Sequence, residues 1–124
     1  MTLERLATDN CSEISRLVGC FALKSWKNIT AHILKGESIL KTTQSHDILA
    51  IQDKKYVYVL DPSLWQFFPR KKSILVGASD GLSGATKLAQ DVYKGTWKIS
   101  EQLFLKDCQK EEKEWMSVLR ENNK

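Results

Sequence analysis

The sequence contains no long hydrophobic run and few histidines. No stretch of about 18 apolar residues occurs in the chain, so the sequence predicts no transmembrane helix. Its two histidines, His32 and His46, have no cysteine or carboxylate at metal-ligand spacing apart from Asp47. The carboxylates are scattered or lie on predicted helices, so no pair can be nominated for general acid–base work. We therefore expect a protein that is not an enzyme, with no catalytic residues, no metal and no cofactor.

Cysteine is scarce and irregularly spaced. The three cysteines are odd in number and form no C-x-x-C pair: Cys11, Cys20 and Cys108. This pattern favours small buried or half-buried thiols over a disulfide scaffold or a zinc site. Residues 1–10 carry charged side chains and lack the apolar segment of a secretory signal. Together these features predict a cytoplasmic location or another reducing intracellular compartment.

The composition is that of an ordinary globular domain. Hydrophobic residues make up 42% of the 124 residues, which is enough to form one core and too much for a disordered chain. We expect residues 1–124 to form a single domain. Within it, 1–23 form a helical N-terminal extension, and 29–121 form a sheet followed by a C-terminal helix.

The hydrophobic periodicity predicts a mixed fold. Apolar residues at three- and four-residue steps predict helices over 3–23, 82–93 and 109–121. Alternating or β-branched segments predict seven short strands, at 29–33, 38–42, 48–51, 56–60, 73–76, 96–99 and 102–105. The sequence thus predicts the α+β class: a small bent antiparallel sheet or barrel with an N-terminal, an inserted and a closing C-terminal helix. The exposed edges of a half-open sheet would also allow a homodimer.

Two stretches resemble the pleckstrin-homology (PH) superfamily. The segment from Asp53 to Asp61 resembles its second strand, and 102–105 followed by 111–119 resembles its last strand and closing helix, with Trp115 in the place of its tryptophan. The resemblance implies a PH-like barrel plugged by the C-terminal helix. It implies the scaffold more than phosphoinositide binding, because no arginine follows Lys41 two residues on. The residues expected in the core are Tyr56, Tyr58, Val59, Leu103, Leu105, Trp115, Val118 and Leu119.

A basic window accounts for most of the net charge of +4. Residues 51–72 carry five basic side chains against two acidic ones, and Trp65, Phe67 and Phe68 lie among them. Such a patch suits an acidic protein or phospholipid headgroups, which makes a non-enzymatic interaction module the favoured function. Nucleic-acid binding, with the aromatic side chains stacking on bases, is the alternative. A solvated loop beside core aromatics also explains the pattern. The predicted partner-binding residues are Lys54, Lys55, Trp65, Arg70, Lys71 and Lys72.

A glycine-rich turn follows the predicted strand at 73–76. Residues 77–81 fit the G-x-S-x-G pattern of a nucleophile elbow, but that mechanism needs a histidine after the serine and both histidines precede it. The same segment resembles the opening of short-chain dehydrogenases, except that Ser83 stands where the third glycine is expected. We expect a strand-to-helix turn. A nucleotide-binding enzyme is the least favoured alternative, and the possible anion-binding residues are Gly77, Ser79 and Gly81.

Overall fold

The computed structural model describes residues 11–41, 45–62 and 73–121. These residues form three α-helices: α1 (Cys11–Ser25), α2 (Leu82–Tyr93) and α3 (Leu105–Glu121). They also form five strands: β1 (Thr30–Glu37), β2 (Ser45–Gln52), β3 (Val57–Leu60), β4 (Leu75–Ser79) and β5 (Thr96–Leu103). A short 3-10 turn, Ile39–Lys41, follows β1.

The strands form one open antiparallel sheet in the order β4-β3-β2-β1-β5. Strands β1 and β2 pair over their full length, from Thr30 opposite Gln52 to Glu37 opposite Ser45. Strand β5 returns along the other edge of β1, with a bulge at Ile33/Leu34. The predicted α+β class with a small antiparallel sheet is therefore confirmed.

Successive residues of a strand point to opposite faces of the sheet. Each face carries buried apolar residues, and each packs against a helix. One face, carrying Ile33 and Leu49, packs against α1. Helix α1 presents its apolar residues at four-residue steps, as in Ile14, Val18 and Ala22, and so has one apolar side. The other face packs against Ala85, Ala89 and Tyr93 of α2. The β2–β3 hairpin thus lies in a sandwich between two helices.

Helix α3 packs mainly against α1 and is tied to it covalently. A disulfide joins Cys20 of α1 to Cys108 of α3, with 5.7 Å between their Cα atoms. A second link is an ion pair between Lys24 and Glu112, at 2.5 Å. The prediction of free thiols is therefore wrong for Cys20 and Cys108, and Cys11 is the cysteine that stays free. The spacing of cysteines along the chain does not reveal that two helices 88 residues apart lie side by side.

Several predicted element boundaries differ from the structure. The predicted strand at 38–42 is a 3-10 turn over its described residues, with a left-handed Leu40 (φ 47°). The two predicted strands at 96–99 and 102–105 are one strand, β5, and α3 begins at Leu105 rather than at 109. The polar residues at 100–102 lie on an edge strand, where they face solvent. Helix α2 and its end at Lys94–Gly95 match the prediction, with Gly95 in the left-handed region (φ 80°).

The predicted core is only partly correct. Val59 and Leu103 are buried. Tyr56 and Leu105 are about half exposed, at 45% and 52%, because one precedes β3 in the hairpin turn and the other begins α3. Trp115 is half-buried and lines a small cavity beside Cys20 and Cys108, so it lies at the junction of α1 and α3. The side chains of Val118 and Leu119, and the first eight residues of the predicted helix 3–23, lie outside the described residues.

Among the described residues, no helix is long and apolar enough to cross a bilayer.

Candidate functional site

The β2–β3 hairpin brings His46 and Asp61 together at one end of the sheet. His46 is the second residue of β2, and Asp61 directly follows β3. Because the start of one hairpin strand meets the end of the other, the pairing of Leu49 with Leu60 continues toward these two residues. His46 Nε2 lies 2.7 Å from Asp61 Oδ2, and both side chains are fully buried. A buried imidazole and carboxylate are therefore directly hydrogen-bonded.

Tyr93, the last residue of α2, completes the buried part of the cluster. Its hydroxyl donates a hydrogen bond to Oδ2 of Asp61, the oxygen that also faces His46. The ring centroids of Tyr93 and His46 are 5.4 Å apart. The backbone N–H of Asp61 donates to the carbonyl of Ile74, at 2.7 Å. Tyr93 thus holds the carboxylate of Asp61, and Ile74 holds its backbone. Together the two bonds fix the orientation of Oδ2.

Gly36 allows an aromatic side chain to cover this cluster. It lies on β1 between His46 of β2 and Trp97 of β5 in the strand register. A Cβ at Gly36 would overlap the indole ring of Trp97, so only glycine leaves room for the ring there. The indole contacts both His46 and Tyr93, with ring centroids 6.4 and 5.4 Å apart, respectively. Its N–H donates to the carbonyl of Lys94, at 2.9 Å.

Cys11, the first residue of α1, reaches the same histidine from the other side of the sheet. Its side chain is half-buried and lies close enough to His46 to raise the pKa of that imidazole. The first amides of a helix have no partners within the helix, and they carry the positive end of its dipole. A carboxylate is therefore hydrogen-bonded to the imidazole of His46, and a thiol from the first residue of α1 lies near the same ring.

The electrostatic setting favours a protonated imidazole. Burial alone would lower the pKa of His46, but the hydrogen bond to Asp61 and its charge, together with the nearby Cys11 side chain, raise that pKa to about 9. Burial, followed by the charge of Asp61, raises the pKa of Tyr93 far above its ordinary value, so its hydroxyl remains a donor. At neutral pH the imidazole of His46 is therefore protonated.

Two chain corners beside the cluster adopt uncommon backbone conformations. The connection from β1 toward β2 has positive φ at three non-glycine residues: Ser38, Leu40 and Lys41. The corner between α2 and β5 has another at Lys94 (φ 61°). Left-handed conformations cost free energy for residues with a Cβ and persist where the surrounding structure imposes them. The first corner follows β1, whose Gly36 pairs with His46. The second directly follows Tyr93, and its Lys94 carbonyl accepts the indole N–H of Trp97.

The predicted basic site is only partly within the described residues. Lys54 and Lys55 are exposed in the turn of the β2–β3 hairpin, at the end of the sheet opposite His46. Asp53 shapes this turn, because its Oδ1 accepts the backbone N–H groups of Lys55 and Tyr56, at 2.7 and 2.8 Å. These bonds lower the pKa of Asp53. The remaining predicted contacts lie outside the described residues: Trp65, Phe67, Phe68, Arg70, Lys71 and Lys72.

The glycine-rich segment joins a strand to a helix as predicted, but β4 extends to Ser79, so the turn itself is only Asp80–Gly81. Gly77 and Ser79 belong to β4, and Gly81 precedes α2 in an extended conformation. The Ser79 hydroxyl donates to the carbonyl of Gly81, at 2.7 Å. Ser79 pairs with Val57, at the end of β3 farther from Asp61, so the serine lies away from His46. This separation agrees with the exclusion of a serine nucleophile elbow, and anion binding at this turn stays a prediction.

The second histidine has a different environment. His32 lies on β1, as predicted, and its Nε2 is 3.0 Å from Oγ1 of Thr30. Burial lowers the pKa of His32. Within residues 11–41, 45–62 and 73–121 no group of cysteine, histidine and carboxylate side chains could hold a metal ion.

Sequence reasoning missed the cluster of Cys11, His46, Asp61 and Tyr93. One signal was available: the predicted strands at 48–51 and 56–60 form a hairpin, and His46 and Asp61 flank its open end. No local pattern places Cys11 or Tyr93 there, because both come from helices whose positions depend on tertiary packing.

No protein-family model, no curated protein and no solved structure matches this chain.

Proposed function

We propose that this protein is a thiol-dependent acyl-transfer enzyme, acting as a hydrolase when water is the acceptor. Cys11 is the nucleophile, His46 the general acid and base, and Asp61 the residue that orients the imidazole. One observation carries the proposal: His46 Nε2 lies 2.7 Å from Oδ2 of the buried Asp61, and Cys11 lies close enough to the same imidazole to raise its pKa. A nucleophile beside a base that a third group orients is the arrangement that activates a weak nucleophile.

The surroundings of Cys11 support a reactive sulfur. An imidazolium beside a thiol stabilises the thiolate, which is the nucleophilic form. The position of Cys11 at the start of a 15-residue helix adds the positive end of the helix dipole. Cys11 is half-buried, whereas His46 and Asp61 are buried, so the base is better protected from water than the residue that bears the sulfur.

The proposed reaction has two steps. In the first, the Cys11 thiolate attacks a carbonyl carbon to form a C–S bond, and the tetrahedral oxyanion faces the first amides of α1. The bond to the leaving group breaks as His46 gives that group its proton, which leaves a thioester on Cys11. In the second step, neutral His46 removes a proton from water or another acceptor, which attacks the thioester. The acyl product departs, and the thiolate and imidazolium form again.

Esterolysis of p-nitrophenyl acetate by the full chain tests the proposal. We expect release of p-nitrophenol, together with an acetyl group on the Cys11 peptide by mass spectrometry. Cys11→Ala should abolish both signals. His46→Ala should lower kcat/KM about 10²–10⁴-fold, the usual contribution of a general acid–base residue.

Two matched controls make this experiment specific. His32→Ala removes the other histidine and should leave activity unchanged. Ser79→Ala removes the serine of the G-x-S-x-G segment and should also have no effect. Acetylation of a residue other than Cys11, or equal rates for His46→Ala and the native chain, would refute the proposal.

The sequence-based hypothesis of an interaction module remains a second proposal. Its support is the exposure of Lys54 and Lys55 at a hairpin turn, beside Tyr56 with 45% of its surface exposed. A basic turn with an exposed aromatic ring suits an acidic protein or a phospholipid headgroup, and nucleic acid is the alternative partner.

Salt titrations of binding to anionic liposomes, single strands and duplexes separate these partners. Nucleic-acid binding with steep salt dependence, lost when Arg70, Lys71 and Lys72 are replaced by Ala, favours the nucleic-acid alternative. Binding to anionic liposomes alone favours a phospholipid surface. Absence of binding to all three at low salt leaves an acidic protein as the partner, and a pull-down that recovers none would remove the proposal.

A further inference from the structure

A set of polar contacts joins the helix of Cys11 to the strand of His46. The Ser15 hydroxyl, which is fully buried, donates to the backbone carbonyl of Asp47, at 3.2 Å. Arg16 Nη1 lies 3.5 Å from Oδ2 of the same Asp47. Asp47 is the residue after His46, and Ser15 and Arg16 lie just over one turn along α1 from Cys11. Two neighbouring helix residues therefore hold the residue adjacent to the proposed base.

Arg16 makes contacts in three directions. Its Nη1 donates to the Ser12 carbonyl, at 3.1 Å, and to the Ser12 hydroxyl, in the first turn of α1. Its Nη2 forms an ion pair with Oε1 of Glu101 on β5. The guanidinium side chain is only 18% exposed, so water competes weakly for these partners. A single planar group thus connects the N-terminal turn of α1, the start of β2 and the edge strand β5.

We propose that Arg16 is a positioning residue that keeps Cys11 in register with His46, an inference that rests on the proposed acyl-transfer function. Helix α1 and strand β2 are separate elements. Apolar contacts between them are not directional, so they fix the position of the helix along the strand less precisely than hydrogen bonds do. The guanidinium fork has fixed geometry and can satisfy several acceptors at once, which a lysine cannot do. Loss of this fork removes the contacts of α1 with the Asp47 carboxylate and with Glu101.

The test measures the contact between Cys11 and His46 directly, without any substrate. Cys11 is one of the groups that raise the pKa of His46. Cys11→Ala should therefore lower that pKa, as followed by NMR titration of the imidazole ring protons, with His32→Ala used for assignment. When Arg16→Gln is also present, we expect Cys11→Ala to lower the pKa of His46 by less than half as much. Because each change in pKa is measured within one background, the direct charge effect of Arg16 on the imidazole cancels.

Two further variants separate positioning from general stability. Lys24→Gln breaks the ion pair at the other end of α1 and should leave the full effect of Cys11→Ala. Arg16→Lys keeps the charge without the fork and should behave like Arg16→Gln. In the esterase assay, Arg16→Gln should reduce kcat at least about tenfold with KM little changed, as expected when only the reacting geometry is disturbed.

The possible results distinguish this inference from the proposed function. An undiminished effect of Cys11→Ala in the Arg16→Gln background overturns the positioning role. The same holds if Cys11→Ala leaves the pKa of His46 unchanged in the native background, because there is then no contact to position. A reduced effect in a chain without any esterase activity supports the positioning of Cys11 by Arg16, and it refutes only the acyl-transfer proposal.

Discussion

At the scale of single residues, the neighbours of His46 come from separate parts of the chain. Asp61 approaches from the end of β3 and Cys11 from the start of α1. The carboxylate is shared with Tyr93, whose hydroxyl donates to the same oxygen. The buried carboxylate of Asp61 therefore has two hydrogen-bond partners among the described side chains, as buried polar groups usually do. The protonation state of one side chain therefore depends on elements that are distant in sequence.

The pH dependence of the proposed reaction follows from this arrangement. His46 must be protonated to give a proton to the leaving group, and its pKa is about 9. We therefore expect kcat/KM for an anilide substrate to fall on the alkaline side, with a midpoint near 9. In Asp61→Asn this midpoint should move to lower pH, because the hydrogen bond and charge of Asp61 raise the pKa of His46. An unchanged alkaline midpoint in Asp61→Asn would contradict the assigned role.

Gly36 gives a second prediction at the residue scale. A methyl group at this position meets the indole of Trp97, which must then leave its place beside His46 and Tyr93. Gly36→Ala should lower the free energy of unfolding by about 1–3 kcal/mol, the usual cost of overpacking. Urea unfolding measures the change, and Gly81→Ala, with open space around its Cβ, is the control. Equal stability of Gly36→Ala and the native chain would show that Trp97 does not need this space.

At the scale of elements, the sheet is held between α2 on one face and α1 on the other, and α3 is attached to α1. Among the side chains that the structure describes, helix α3 contributes none to the sheet's two main buried clusters. Its attachment depends on the Cys20–Cys108 disulfide and the Lys24–Glu112 ion pair. Exposed ion pairs stabilise a fold weakly, so the disulfide is the stronger of these links.

Loss of the disulfide should therefore destabilise the fold. The bond spans 88 residues, and removing a cross-link over a loop of this size costs about 2–5 kcal/mol of unfolding free energy. Urea unfolding of the native chain with and without dithiothreitol measures this cost. The double variant Cys20→Ala/Cys108→Ala should show no response to the reductant, whereas Cys11→Ala should respond fully. A native chain that is insensitive to reductant would contradict the structural role of this bond.

The elements also show which features are readable from sequence. Helix α2 and the β2–β3 hairpin could be predicted because periodicity and turn residues are local signals. The predicted strand pairing covers the apolar residues of the hairpin. Continuing the same pairing to the residues on either side predicts that His46 lies near Asp61. The contacts of Cys11 with His46 and of Cys20 with Cys108 could not be predicted, since they depend on how α1 lies across the sheet and against α3. Local patterns carry no information on that packing.

At the scale of the whole molecule, the cluster links stability to pH. The pKa of His46 is raised in the folded state from 6.5 to about 9, so the protonated ring stabilises the fold. This stabilisation is complete below pH 6.5 and is lost as the pH rises through 9. We expect the free energy of unfolding to fall by up to about 3 kcal/mol across this range.

Urea unfolding at several pH values tests this expectation. His46→Gln should remove the decline. His32→Ala should retain it, because burial lowers the pKa of His32 and that group contributes with the opposite sign. Stability that rises from pH 6.5 to 9 would contradict the buried imidazolium.

The central claim is that His46 activates Cys11, and the rate of alkylation of Cys11 tests it most directly. Iodoacetamide at pH 7, with the modified peptide quantified by mass spectrometry, reports the nucleophilicity of this one sulfur in the full chain. We expect Cys11 of the native chain to react at least about tenfold faster than Cys11 of His46→Ala, as is usual when an imidazolium stabilises the thiolate. Equal alkylation rates in the two chains would contradict it.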